Sequence, residues 1–293
     1  MVELSIIIVN YNTSVLIKNL LKTIEERTEG ISYEVIVVDN KPTEQFSIDL
    51  KEYLDKIIYI PLRENVGFGR ANNEGVKVAK GRNIFFLNPD TLLVNNAIKI
   101  LSDYLDKNEK VGVCGGNLYD KDMNPIHSFI RMLPSPIWDL NSLLGNLIFK
   151  FLYGKNIQYN YTGKPLNVGY VTGADMMVKR SVLDAVGAFD KDFFMYYEET
   201  ELSYRIKKAG YDIISVPEAE IIHLEGQSFS TNERREALKS VSKKLYYSKT
   251  QSFFAYRLSN FFAYINAVLR IIYAKIRGSK NQIEYWSIIK NNL

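Results

Sequence analysis

The feature that most constrains this chain is a series of short apolar runs, rich in β-branched residues, that alternate with stretches of helical periodicity. The runs at residues 5–9, 33–38 and 83–87 are typical of strands buried on both faces of a sheet. Residues 14–27 and 68–80 carry apolar side chains at helical spacing. The alternation predicts an α/β fold with a doubly wound, mostly parallel sheet flanked by helices.

Polar residues follow three of the predicted strands. Asn10 and Tyr11 follow the first strand, at residues 5–9; Asp39 directly follows the strand at residues 33–38; and Asn88 and Asp90 follow the strand at residues 83–87. Ligands of such sheets bind beyond the carboxyl ends of the strands, so we expect a site at this edge. The first strand is not followed by glycines, which disfavours a dinucleotide-binding fold.

Charge divides the chain into two parts. Residues 231–293 contain 12 basic and 3 acidic side chains, a formal charge of +9, whereas residues 1–230 contain 25 and 30, a charge of −5. We therefore expect one domain over residues 1–230 and a basic helical extension over residues 231–293. A basic tail on an acidic body often indicates an anionic partner for the tail.

Cysteine and histidine counts limit the compartment and the metal chemistry. The single cysteine, Cys114, cannot form an internal disulfide, which indicates a cytosolic protein. One cysteine and two histidines exclude a Cys/His zinc cluster. The N-terminal apolar run is too short for a signal peptide, and no long uncharged apolar run predicts a spanning helix.

Asp90 supports two interpretations. An acidic residue after a buried strand can bind a divalent metal carried by a diphosphate, because Mg²⁺ and Mn²⁺ favour oxygen ligands. Alternatively, Asp90 or Thr91 caps the next helix, which is the better interpretation of this motif taken alone.

Three carboxylates occur within four positions where a helix is predicted to begin. Glu198, Glu199 and Glu201 suit the positive end of the helix dipole, which is their structural interpretation. On a helical wheel Glu199 shares the inward apolar stripe, Glu198 lies on another side, and Glu201 can pair with Arg205. A carboxylate on the inward stripe is costly unless it lines a cleft, so Glu199 is the best candidate for a general base.

The histidines and the segment 65–75 carry weaker signals. His223 ends an apolar strand and is either a satisfied core residue, which its local pattern favours, or a metal ligand. His127 is typical of a loop residue in the irregular region 119–164, which we interpret as a mobile or substrate-facing insertion. The segment 65–75 opens a helix and contains Arg70, an arrangement that suits a nucleotide or phosphate.

Seven ordered blocks of the chain resemble the inverting family-2 glycosyltransferases with the GT-A fold. The resemblance is greatest to the rhamnosyltransferase-like branch, which builds bacterial surface polysaccharides. The blocks are residues 5–12, 37–40, 65–75, 88–91, 172–176, 189–210 and 223–228. They imply that residues 1–230 form a GT-A catalytic domain. The implied activity is metal-dependent, inverting transfer of rhamnose or a hexose from a nucleoside diphosphate sugar to a hydroxyl of a glycan or lipid-linked glycan.

The same resemblance implies roles for individual residues. Glu199 matches the catalytic base, with Glu198 as the competing choice because the family usually has a Glu-Asp pair there. Asp90 and His223 would bind Mg²⁺ or Mn²⁺. The residues implied to hold the donor nucleotide are Asn10, Tyr11, Asp39, Asn65, Arg70, Asn72 and Asn88. The residues implied to line the donor sugar and acceptor are Gly173, Ala174 and Asp175.

The tail supports two interpretations of its own. Apolar residues from Phe254 to Ile272 fall on one helical stripe, with Asn266 and Arg270 opposite and Arg257 at its border. A basic amphipathic helix with aromatics suits an anionic membrane interface, whereas the alternative is packing on the catalytic domain or a second subunit. Lipid-linked acceptors, implied by the resemblance, favour a cytoplasmic protein at the inner face of the cell membrane. A homodimer is the alternative.

Two other functions compete with the enzyme. A catalytically inactive nucleotide-sugar-binding or scaffold protein of the same fold would share the resemblance, although Asp39, Asp90, Glu199 and His223 argue for activity. Nucleic-acid binding by the tail is disfavoured, because its cations accompany an apolar stripe and form no recognisable binding motif. Thymidine diphosphate rhamnose is the first choice of donor from the branch resemblance, and a uridine diphosphate hexose is the second.

Overall fold

The computed structural model describes residues 2–224 and 232–293, which divide into two units by their contacts. The first, called the sheet unit, contains residues 2–132, 155–194 and 198–224. The second, called the helical unit, contains residues 133–154, 195–197 and 232–293. The helical unit thus includes two segments that a boundary at residue 230 would assign to the first domain.

Eleven strands and eleven α-helices are formed within the described residues. The strands are β1 (Leu4–Asn10), β2 (Tyr33–Asp39), β3 (Ile57–Pro61), β4 (Asn83–Leu87), β5 (Thr91–Leu93), β6 (Val111–Tyr119), β7 (Phe129–Ile130), β8 (Leu166–Asn167), β9 (Tyr170–Val171), β10 (Asp175–Lys179) and β11 (Asp212–His223). The helices are α1 (Ser14–Arg27), α2 (Glu44–Asp49), α3 (Phe68–Val78), α4 (Ala97–Lys107), α5 (Pro136–Leu143), α6 (Leu147–Tyr153), α7 (Arg180–Val186), α8 (Glu198–Lys208), α9 (Asn232–Thr250), α10 (Phe253–Ile276) and α11 (Lys280–Asn291).

The main sheet is mixed rather than purely parallel. Its strand order is β3-β2-β1-β4-β10-β6-β11-β5, with β8 paired to β11. The four strands β3, β2, β1 and β4 are parallel, as are β6 and β11, whereas β10 is antiparallel to both of its neighbours. The predicted α/β sheet flanked by helices is confirmed, with antiparallel strands inserted in its second half.

Both faces of the sheet are covered, which explains the unbroken apolar runs of the sequence. Successive side chains of a strand point to opposite faces, so Ile6 and Ile8 of β1 join one core cluster and Ile7 and Val9 join the other. Helices α1 and α4 supply the first cluster, and α3, α7 and α8 contribute to the second. The ends of the parallel strands therefore remain as the open edge.

Two predicted elements differ from the structure. The segment after Asp90 forms the strand β5, and α4 begins only at Ala97, so the interpretation of Asp90 or Thr91 as a helix cap is wrong. The apolar strand that His223 was predicted to end is longer than its local run suggests, because β11 extends over twelve residues, Asp212–His223. Its register with β6 shifts between Ser215 and Glu220, which accommodates Pro217 without ending the strand.

The helical unit packs α10 against α5 and α11. Asp139 of α5 accepts a hydrogen bond from Ser259 of α10 and pairs with Lys243 of α9 at 3.1 Å. Asn266 donates to Ser142 at 2.9 Å. Residues 133–154, predicted to be part of a mobile or substrate-facing insertion, therefore form ordered helices that pack on the tail. Within residues 2–224 and 232–293, no helix combines the length and the apolar character needed to cross a membrane.

Candidate active site

Asn10 and Asp39 lie side by side where β1 and β2 end. The two strands pair in register there, and the Asn10 amide donates to the Asp39 carboxylate at 2.8 Å. Tyr59 donates its hydroxyl to the other carboxylate oxygen at 2.9 Å, and burial, together with this bond, raises the pKa of Tyr59. Both Asn10 and Asp39 are buried, whereas Tyr11 is exposed at the strand tip. In this structure Asn10 and Asp39 shape the strand ends, and Tyr11 is accessible to a ligand.

The loop before α3 is tied to the end of β2. Asn40 donates to the Gly67 carbonyl at 3.1 Å and accepts from the Val66 amide at 3.3 Å. Gly67 has a positive φ of 90°. The next amide, that of Phe68, donates to the Phe194 carbonyl at 3.0 Å. These contacts bring the predicted nucleotide segment beside the chain that leads to α8.

The other predicted donor residues of this segment differ in accessibility. Asn72 is buried and donates to the Phe68 carbonyl within its own helix at 3.1 Å. Arg70 and Asn65 are exposed, and Arg70 donates to the Lys191 carbonyl at 2.5 Å. A bound diphosphate would therefore meet Arg70 and Asn65 before Asn72. Their roles toward a donor remain predictions.

Asn88 lies against the predicted sugar-binding residues. Its backbone N–H donates to the Ala174 carbonyl at 2.9 Å, where β4 and β10 run antiparallel. Gly173 is partly exposed, but Ala174 and Asp175 are buried. The Asp175 carboxylate accepts from the Gly116 amide at 2.6 Å, and burial raises its pKa well above the usual value. The Asp175 carboxylate thus joins β10 to β6 in this structure, and the predicted sugar contacts remain predictions.

Asp90 and His223 are brought together by the pairing of β5 with β11. The register places His223 opposite Thr91, and the Leu224 amide donates to the Asp90 carbonyl at 2.9 Å. His223 Nε2 then lies 3.3 Å from Asp90 Oδ1. Residues 225–228 of the predicted block lie outside the described residues.

The Asp90–His223 pair fits a divalent ion whose remaining ligands come from elsewhere. A carboxylate oxygen and an imidazole nitrogen, both largely buried, converge on one position. Among the residues described, no three His, Cys, Asp or Glu side chains come together as a metal site. A metal held here would therefore need oxygen ligands from a diphosphate or from water.

His127 is a residue of this region that the sequence did not reveal. Burial lowers its pKa to about 4, with a smaller contribution from the nearby His223 imidazole. Its Nε2 atom is buried and accepts or donates no hydrogen bond within the described residues. His127 precedes β7 in a stretch without clear periodicity, so nothing in the sequence distinguished it from an exposed loop residue.

The two candidate bases lie between α3 and Gly173. A Cβ built on Gly69 would lie 3.5 Å from the Glu198 Cβ, and one built on Gly173 would lie 3.8 Å from the Glu199 Cβ. The helical-wheel assignment is wrong in one respect: Glu198 is the more buried of the two, at 5% exposure, and Glu199 is partly exposed. The wheel assumed that α8 packs along a single stripe, whereas its first turn is enclosed on two sides.

Burial controls the protonation of this pair. It raises the pKa of both carboxyl groups, and the negative charge of Glu199 raises the pKa of Glu198 further. The Glu198 Oε2 atom has no hydrogen-bond partner within the described residues. The first proton taken up by the pair is therefore favoured on Glu198, and Glu199 is the more accessible of the two carboxyl groups.

Two polar side chains, Arg205 and Asn73, bind the backbone of residues 186–189, which precede α8. Arg205 pairs with Glu201 at 2.8 Å, as predicted, and also donates to the carbonyls of Val186, Gly187 and Ala188 at the end of α7. Asn73, whose role the sequence did not indicate, exchanges two hydrogen bonds with the Phe189 backbone, at 2.7 and 3.0 Å. Both contacts join segments that are distant in sequence, which local patterns do not reveal.

Comparison with known proteins assigns the chain to a family. Residues 5–187, more than half of the chain, match the family described as glycosyl transferase family 2. A low-salt glycan biosynthesis hexosyltransferase, Agl10 of Haloferax volcanii, is 30% identical over 227 residues, which are 75% of this chain and 67% of that protein. An N-acetylglucosaminyl-diphospho-decaprenol L-rhamnosyltransferase of Mycobacterium tuberculosis is 25% identical over 238 residues, 77% of each protein.

A solved structure shows the same fold at low identity. The mannosyltransferase PcManGT of Pyrobaculum calidifontis, solved in complex with GDP-Man and Mn²⁺, superposes with a TM-score of 0.59 and 15% identity. The match covers 99% of this chain and 85% of that one. The fold expected from the sequence, that of GT-A glycosyltransferases, is thereby confirmed.

Proposed function

The chain belongs to glycosyltransferase family 2, and from this premise we propose that it transfers rhamnose or a hexose from a nucleoside diphosphate donor to a hydroxyl of a lipid-linked glycan. The observation that carries the proposal is the position of Glu199, a partly exposed carboxylate beside Gly173. Attack of the hydroxyl on the face opposite the leaving diphosphate inverts the anomeric centre.

Glu199 acts as the general base of this reaction. Burial raises its pKa, so the carboxylate is a better proton acceptor than an exposed glutamate. Glu198 stays protonated beside it and keeps a second negative charge out of the site. The proton of the acceptor hydroxyl moves to a carboxylate oxygen of Glu199 as the hydroxyl oxygen attacks.

Asp90 and His223 would hold the divalent ion. Such an ion, when bound, offsets the charge that develops on the leaving diphosphate. A carboxylate suits both Mg²⁺ and Mn²⁺, whereas an imidazole nitrogen is a softer ligand, so we favour Mn²⁺. The Mn²⁺ of the PcManGT structure supports this choice. Arg70 and Asn65 are the exposed side chains that would meet the donor phosphates or ribose.

Relatives guide the choice of substrates. One relative is an L-rhamnosyltransferase that acts on a diphospho-decaprenol-linked sugar, and another is a hexosyltransferase of glycan biosynthesis. We therefore propose thymidine diphosphate rhamnose as the donor, with a uridine diphosphate hexose next, and a polyprenyl diphosphate-linked glycan as the acceptor. The product would belong to a cell-surface polysaccharide.

The helical unit would bring the enzyme to the cytoplasmic face of the membrane. One face of α10, here called its outward face, is apolar and exposed, as shown by Phe254 at 74% and Phe261 at 57% exposure. Ser259, Asn266 and Ala267, on the opposite face, are buried. Helix α10 contains three basic and no acidic residues, which suits an anionic lipid surface better than a second copy of the chain.

The proposed function is tested by a thermal-shift screen of nucleotide sugars with Mn²⁺ or Mg²⁺, followed by assay of nucleoside diphosphate release. We expect one donor to raise the melting temperature in a metal-dependent way, and the same donor to be hydrolysed slowly without acceptor. Stabilisation by a nucleotide sugar without any turnover would instead support an inactive binding protein.

A further inference from the structure

Three residues immediately before the Glu198–Glu199 pair belong to the helical unit. Met195, Tyr196 and Tyr197 are part of that unit, although Phe194 and Glu198 on either side belong to the sheet unit. The chain therefore leaves the sheet unit for three residues and returns to it at the first residue of α8.

The three residues are held by helix α9. Ser242, which is buried, donates its hydroxyl to the Met195 carbonyl at 2.7 Å. The Lys239 ammonium lies 5.6 Å from the centre of the Tyr196 ring, and the rings of Tyr197 and Tyr246 are 5.5 Å apart. Each of the three residues thus has a partner on one helix, at positions 239, 242 and 246.

Their backbone adopts a conformation that tyrosine does not favour. Tyr196 has a φ of 69° and Tyr197 a φ of 67°, both in the left-handed region. Bulky residues rarely occupy this region, and they stay there only where the surrounding contacts impose it. The contacts with α9 are contacts of this kind at the turn.

We propose that α9, through Ser242 and Lys239, positions the catalytic carboxylates by holding the left-handed turn at Tyr196 and Tyr197. The turn fixes the direction in which α8 begins, and Glu198 and Glu199 are its first two residues. On the preceding side, the Phe194 carbonyl is fixed by the Phe68 amide. Loss of the α9 contacts lets the turn relax, and the carboxylates then move relative to Gly173 without any change in their chemistry.

This proposal rests on the proposed function of Glu199, so its test separates the two. In the full-length protein, Ser242→Ala removes the hydroxyl and Ser242→Thr retains one. Ser248→Ala is the matched control, because the Ser248 hydroxyl, on the same helix, donates to the Leu245 carbonyl of that helix at 2.7 Å. Lys239→Gln is a second substitution, at a side chain that is 41% exposed and also pairs with Glu236 at 3.0 Å on the same helix, and it is not expected to disturb folding.

Two readouts are compared. Amide hydrogen exchange over residues 194–202 reports the turn directly, and nucleoside diphosphate release from thymidine diphosphate rhamnose or uridine diphosphate glucose with Mn²⁺ reports kcat and KM. For Ser242→Ala we expect faster exchange and a kcat lower by about fivefold, the usual effect of one lost hydrogen bond, with KM for the donor unchanged. Ser242→Thr should restore both values, and Lys239→Gln should change both in the direction of Ser242→Ala.

The proposal is overturned if Ser242→Ala and Lys239→Gln leave the exchange of residues 194–202 at the level of Ser248→Ala. It is also overturned if exchange rises while kcat stays unchanged in a protein whose kcat depends on Glu199. If Glu199→Gln retains full kcat, the proposed base is wrong, and the exchange data alone then decide whether α9 holds the turn.

Discussion

His223 Nε2 lies 3.3 Å from Asp90 Oδ1, because the short strand β5 pairs antiparallel with the end of β11. The sequence suggested each residue separately as a metal ligand, but it did not show that the two meet. Their meeting depends on a strand of three residues, Thr91–Leu93, which turns Asp90 toward the last residue of β11. The register of one strand pair thus creates the proposed metal site.

Substitution of this pair should remove metal binding. We expect Asp90→Ala and His223→Ala each to weaken Mn²⁺ binding in the presence of a nucleoside diphosphate by more than about tenfold, since even loss of an outer-shell partner costs about that much. The measurement is Mn²⁺ titration followed by electron paramagnetic resonance. Asp122→Ala, at an exposed acid of the sheet unit, is the control. Equal Mn²⁺ affinity in all variants would exclude the site.

The two adjacent glutamates should respond differently to amide substitution. Glu199→Gln should lower transfer by about 10²- to 10⁴-fold, the usual contribution of a general base. Glu198→Gln should have a much smaller effect, because the amide resembles the protonated acid that burial favours. Nucleotide binding, measured by calorimetry, should be retained in both variants. A greater loss of transfer in Glu198→Gln would reverse the assignment.

The same pair predicts the pH dependence of transfer. The base is active when ionised, and burial raises the pKa of Glu199 above 4.5. Transfer should therefore rise with pH through this higher value, and the acid limb of the kcat profile should lie above pH 4.5. A limb at or below the ordinary glutamate pKa would contradict a buried base.

Much of the fold was predictable from the sequence, and much of the site was not. The boundaries of α1 and β4 follow from periodicity, because α1 packs by a regular apolar stripe and β4 is an apolar run buried on both faces. The meeting of Asp90 with His223, the burial of Glu198, and the grouping of residues 195–197 with the tail depend on tertiary contacts. A wheel or a motif records only local spacing, so it could suggest these residues but not their environment.

Asp175 should make the protein less stable as pH rises. Burial raises the pKa of its carboxyl in the folded state, so its protonated form favours folding. This contribution is present below the unfolded pKa of 3.8 and is lost as pH rises through the higher folded value. Asp175→Asn, whose amide oxygen can still accept from the Gly116 amide, should lack this loss. The melting temperatures of the unsubstituted protein and of Asp175→Asn should converge at low pH, and that of Asp175→Asn should be the higher at high pH. Parallel curves of melting temperature against pH would contradict the prediction.

The outward face of α10 should bind anionic lipid. Replacing Phe254 and Phe261 by Asp in one protein should abolish co-sedimentation with vesicles of phosphatidylcholine and phosphatidylglycerol, since both rings are exposed. Arg257→Gln and Lys275→Gln should each weaken binding by about fivefold, and more salt should weaken it in the unsubstituted protein. The control is Ile48→Asp, at an exposed apolar residue of α2. If the double variant still sediments with the vesicles but no longer forms a dimer in light scattering, the outward face binds a second copy of the chain and not lipid.

Alanine substitutions at Gly67 and Gly210 test whether the loop before α3 lies close to the Phe194 backbone, which leads to the catalytic pair. Both glycines have a φ near 90°, at 90° and 91°, so alanine is strained at either position. Nothing lies within 4 Å of a Cβ at Gly210, whereas a Cβ at Gly67 would lie 2.2 Å from the Phe194 carbonyl oxygen. We expect Gly210→Ala to lower the free energy of unfolding by about 1 kcal/mol, the cost of the backbone conformation.

Gly67→Ala should cost more than about 3 kcal/mol, because the Phe194 backbone must move in addition. Since Phe194 lies only four residues before Glu198, kcat should fall in Gly67→Ala even at temperatures where the protein is folded. Urea denaturation gives the two free energies, and nucleoside diphosphate release gives kcat. Equal destabilisation by the two substitutions would mean that Gly67 does not approach Phe194, and the loop at residues 65–67 would then have no part in placing the catalytic helix.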